Sequence, residues 1–102
     1  MNSAAPSFDP EVLMASLEAE FGGRQPERRV VARQARDLAD SGKPQRDRGE
    51  PLTEAEVVRQ MADAPDGSTL AERWNWWLGA LEAAHGGYRD FQVTRIPTGD
   101  RD

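Results

Sequence analysis

The chain has 102 residues, of which 37% are hydrophobic and 30% charged, with a net charge of −5 and no cysteine. That length holds one domain and one core, and without thiols there are no disulfides, thiolate metal sites or cysteine nucleophiles. No apolar run approaches the roughly 18 residues of a membrane span, and residues 1–7 lack the charged start and apolar stretch of a signal peptide, so a cytoplasmic protein with no membrane partner is expected.

Asp9 and Pro10 open a first helix, one as a cap for free backbone N–H groups and the other as a residue suited to the first turn. Leu13, Leu17 and Phe21 recur every four residues with Met14 beside them, and Gly22-Gly23 ends the run. A second helix is predicted from about Pro26 to Ser41. Its buried stripe is Val30, Val31, Ala35 and Leu38, its polar face carries Arg29, Arg33 and Arg36, and Gly42 caps it. From Lys43 to Pro51 the chain reads KPQRDRGEP, two prolines, a glycine and five charges, which predicts an exposed, mobile loop.

A third helix follows a capping box at Thr53 and Glu56, with Val57, Val58 and Met61 as its apolar side. A turn at Ala64-Pro65-Asp66-Gly67 separates it from the fourth helix. That helix has its own capping box, Thr69 with Glu72, and a stripe of Leu70, Trp74, Trp77, Leu81 and Ala84 that keeps its rhythm as far as Tyr88 beyond Gly86-Gly87. Phe91 and Val93, then Ile96, alternate with polar residues, which fits either a short β-strand or an extended segment lying on the helices. The fold expected is mainly α: a compact bundle of about four helices with a short extended C-terminal segment. The domain spans residues 9–97, between flexible ends at 1–8 and 98–102.

Trp74, Asn75, Trp76 and Trp77 lie within one turn and cannot share a face at about 100° per residue. Trp74 and Trp77 follow the core stripe, whereas Trp76 falls on another face with Ala80 and Ala83. Either another helix of the chain covers that face or a partner does. The partner-binding set drawn from this pattern is Trp76, Tyr88 and Phe91 as anchors, flanked by Arg73 and Arg89.

Charge is unevenly spread. Residues 1–23 carry four acids and no base, residues 24–48 carry seven arginines and Lys43 against four acids, and residues 49–102 carry ten acids against five arginines. The basic island offers Arg28, Arg29, Arg33 and Arg36 to nucleic-acid phosphates. It holds no aromatic residue for base stacking, and pairs such as Arg33–Asp37 and Arg36–Asp40 would neutralise it within the helix.

Chemistry is thinly represented. His85 is the sole histidine, and its pairing with Glu82 at Glu-x-x-His spacing falls short of a metal site without further carboxylates. No serine sits in a Gly-x-Ser-x-Gly context, and no phosphate-binding or dinucleotide-binding glycine pattern occurs. The expectation is a non-enzymatic interaction or regulatory module without cofactor or metal. Its partner is another protein or a second copy of itself, with nucleic-acid binding as the alternative.

Overall fold

The computed structural model describes residues 8–95. Five helices follow in order: α1 (Pro10–Phe21), α2 (Gln25–Ser41), α3 (Lys43–Arg48), α4 (Glu54–Ala62) and α5 (Leu70–His85), closed by a single 3-10 turn at Arg89–Phe91. The mainly helical bundle is as expected. The ends expected to be flexible, and Ile96, lie outside the described residues except for Phe8, which packs against the core.

Local chemistry explains where the helices begin. The Asp9 carboxylate accepts from the Glu11 N–H at 2.9 Å, and the Asp9 N–H donates to Glu54 Oε2 at 2.6 Å, tying the start of α1 to that of α4. Thr69 and Glu72 make the complete capping box of α5. At α4 only half of the expected box forms. Thr53 Oγ1 accepts from the Glu56 N–H at 3.1 Å, but the Glu56 carboxylate turns away to Arg48, Arg59 and Gln60. Burial opposes the charge on Glu56, and those three hydrogen bonds outweigh it, holding the carboxyl below its ordinary value.

The segment predicted as a mobile loop is helical at Lys43–Arg48. Pro44 suits a first helical turn and is buried. Gly42 and Gly49, both with positive φ, bracket the helix. Six residues do not sustain a helix alone, so tertiary contacts hold it: Asp47 Oδ2 accepts from the Tyr88 hydroxyl at 2.8 Å, and Lys43 Nζ bridges to Asp47 at 3.3 Å while lying 4.8 Å from the Tyr88 ring centre.

The core joins Leu13 and Leu17 of α1, Val31, Ala35 and Leu38 of α2, Val57 and Met61 of α4, and Trp74 and Leu78 of α5, all fully buried. Two stripe positions differ from expectation. Val30 is only partly covered while Ala32 is buried, and Ala84 is exposed because the stripe drifts round the last turn of α5. Glu27 is buried and accepts from the Ala71 N–H at 2.8 Å. Its carboxylate thus meets the positive end of α5 and ties α2 to it. Gly23 makes room at the same place, since a Cβ there would lie 2.6 Å from Leu70 Cδ1. No described residue forms a strand, and no described helix is long and apolar enough to cross a membrane.

Candidate functional site

Helix α5 turns the side chains of Trp74, Asn75, Trp76 and Trp77 in four directions. Trp74 is fully buried, and its indole N–H donates to the Phe91 carbonyl at 2.8 Å. Asn75 accepts from the Val93 N–H and donates to the Val93 C=O, both at 2.8 Å. One amide side chain therefore satisfies both backbone groups of that residue, as a neighbouring strand would. Trp77 meets Trp74 edge-to-face at 5.8 Å and lies beneath the Arg48 guanidinium. Trp76 alone points outward and is 43% exposed. Around it Gly79, Ala80 and Ala83 are exposed too. The intramolecular cover that would have explained Trp76 is not there among the described residues.

The other expected anchors have different roles. Tyr88 is fully buried: its ring completes the core and its hydroxyl holds α3 through Asp47. Burial and the adjacent Asp47 carboxylate push the Tyr88 hydroxyl far above its ordinary value, and the hydrogen bond from Tyr88 lowers that of Asp47. Phe91 is half-buried against the core. Arg73 donates to the Met61 carbonyl at 3.1 Å and stacks 4.8 Å from the centre of Phe21, bracing α4 and α1. Arg89 is exposed but lies beyond the end of α5. Of the five residues, Trp76 and Arg89 face solvent, and they are not neighbours on one helix face.

The basic island divides in two. Arg28 donates to the carbonyls of Gly22 and Gly23 at 3.2 and 2.5 Å, Arg46 to that of Ser41 at 3.2 Å, and Arg48 to Glu56 at 2.7 Å. These hold turns and helix ends. Arg29, Arg33 and Arg36 are exposed along one edge of α2. Of the two expected pairs, Arg36–Asp40 forms at 3.6 Å, and Arg33–Asp37 is not among the ion pairs of the described residues. The three arginines border an open groove of about 340 Å³ between α1 and α2.

A family model for the WNWW domain matches residues 1–82. The chain belongs to the WNWW domain family. No curated protein matches it. No solved structure matches it either. The match ends inside α5, so it takes in the Trp-Asn-Trp-Trp run and stops short of Phe91 and Val93, which that run holds.

Glu82 of this WNWW domain is engaged in the turn after α5, where Oε1 accepts from the Tyr88 and Arg89 N–H groups at 2.7 and 3.1 Å. Among the described residues no group of three or more His, Cys, Asp or Glu side chains could hold a metal ion. Sequence reasoning missed the parts played by Glu27, Asp47 and Asn75. An asparagine inside a helix, where its side chain competes with the backbone, was the one visible signal.

Proposed function

We propose that this WNWW domain is a small cytoplasmic interaction module, regulatory in role, that docks another copy of itself or another protein through the outward face of α5. The observation that carries the reading is Trp76, exposed on a helix whose other tryptophans are both engaged inside the chain. Residues 76–84 contain one charged side chain, Glu82, and its carboxylate is turned to backbone N–H groups. The face therefore presents a large ring beside three small residues. Tryptophan is over-represented among the side chains that anchor interfaces.

Such a face fits itself. Two α5 helices laid antiparallel about a two-fold axis set each Trp76 into the space above the partner's small residues, as an isologous contact requires. The C-terminal segment is held on the inner side of α5 through Trp74 and Asn75. The mechanism is docking, with no catalytic step. The test is solution mass by light scattering across a concentration series. Wild type is expected to dimerise, and Trp76→Ala to remain monomeric with an unchanged circular dichroism spectrum. Unchanged dimerisation of a folded Trp76→Ala variant, or its unfolding, overturns the reading.

The alternative, nucleic-acid binding through Arg28, Arg29, Arg33 and Arg36, keeps three exposed guanidiniums, because Arg28 serves the α1–α2 turn.

A further inference from the structure

Helix α2 has two outward edges with different neighbours. On one, Glu27 and Gln34 hydrogen-bond to Ala71 and Gln92, so α5 and the C-terminal segment lie there. On the other, Arg29, Arg33 and Arg36 face the groove beside α1. Its apolar lining is Pro10, Met14 and Ala32. The arginines recur at i, i+4 and i+7, a ridge about 10 Å long at the rise of an α-helix. Arg29 and Arg33 have no carboxylate partner among the ion pairs of the described residues, and Arg36 has only the solvent-exposed Asp40.

We infer that the α1–α2 groove is a second docking site, which takes an acidic segment of a partner protein with an apolar residue among its carboxylates. Charge complementarity names the occupant. The guanidiniums can each grip a carboxylate through paired N–H groups, while Met14, Pro10 and Ala32 receive the apolar side chain. The rest of the molecule is acidic overall, so a ligand carrying negative charge is steered to this edge and away from other surfaces. A nucleic acid suits the groove less well, because no lining residue is aromatic and bases find nothing to stack on. This site is independent of the α5 face.

Fluorescence anisotropy of the full chain tests it with three labelled probes: a short peptide repeating Glu-Glu-Leu, a peptide of equal charge repeating Glu-Glu-Gly, and a single-stranded oligonucleotide of equal charge. The leucine peptide is expected to bind best, to weaken as salt rises, and to lose about tenfold or more in affinity, at least 1.4 kcal/mol, in the Arg29→Glu/Arg33→Glu variant. Both positions are exposed, so that variant should keep its helical spectrum and its melting temperature. Trp76→Ala should bind the peptide as wild type does, which separates failure of this site from failure of the α5 face. The inference is overturned by absent binding, by equal affinity for the two peptides, by affinity untouched in the double variant, or by preference for the oligonucleotide, which would favour the nucleic-acid alternative.

Discussion

The two sides of α5 are built on opposite principles. The inner side carries Trp74, Trp77, Leu78 and Leu81, all buried, and beside them Asn75 and Trp74 make directed hydrogen bonds to Val93 and Phe91 of the C-terminal segment. The outer side carries Trp76, Gly79, Ala80 and Ala83, all exposed. Two tryptophans two residues apart thus have different tasks, and helical phase alone separates them. Residue type says little about role here, and the partner found by each side chain decides it.

That contrast can be broken most severely from inside. Trp74→Ala empties the centre of the core and leaves the Phe91 carbonyl without its donor, at a cost of about 3–5 kcal/mol. A small domain has only about 5–15 kcal/mol of stability in total. Urea denaturation should show the midpoint falling steeply, with a large population unfolded before denaturant is added. A midpoint near that of wild type would mean that the inner side does not hold the fold.

Asn75→Ala comes next, because both polar groups of Val93 lose their partner. The expected loss is about 1–3 kcal/mol, and hydrogen exchange at the Val93 amide should accelerate while amides in the middle of α2 stay protected. Retained protection at Val93 would show that something other than the Asn75 amide holds the segment.

Tyr88→Phe removes one hydroxyl and should lower the melting temperature by several degrees. Its clearer signature is in pH. Wild-type Tyr88 has a raised value in the folded state, so its contribution is complete below the ordinary tyrosine value of 10.0 and is lost as pH climbs above it. Asp47 has a lowered value, so its contribution is complete above its ordinary 3.8 and is lost as pH falls through the folded value. Tyr88→Phe should abolish the alkaline loss and lessen the acid one. Because Tyr88 is the sole tyrosine, phenolate absorbance reports its ionisation directly, and titration at the ordinary value would refute the Asp47 contact.

The smallest effect is expected on the outer side. Trp76→Ala should change stability by no more than about 0.5 kcal/mol in the monomer, as exposed substitutions do, while association is lost. Equal sensitivity of Trp74 and Trp76 would erase the contrast altogether.

Much of this architecture was legible in the residues. The caps at Asp9, Thr53 and Thr69 and the apolar repeats located four helices, and phase put Trp74 and Trp77 inside and Trp76 on a different face. What escaped depends on contacts across the chain. The Lys43–Arg48 helix looks like a loop because its proline and flanking glycines are also turn residues, and contacts from later in the chain hold it in place, among them Tyr88, forty-one residues after Asp47, and Glu56 against Arg48. Tyr88 itself continues the core rhythm of α5, yet as an aromatic beyond two glycines it also fits a surface anchor, and only the fold shows it buried. Glu27 and Asn75 are polar residues whose partners, Ala71 and Val93, lie far along the chain. No local pattern pairs them. In the basic island, sequence counted charges, whereas geometry showed which of them already serve turns and helix ends.

The three indoles also give the molecule an optical signature of its own surface. Trp74 sits dry and hydrogen-bonded, Trp77 lies against it under a guanidinium, and Trp76 emits into water. A neutral quencher such as acrylamide reaches the last far more readily than the other two. Whatever covers α5 should shift and shield the red edge of the emission and leave the blue edge unchanged, and Trp76→Phe should silence that response. The domain thus reports its own occupancy without a label.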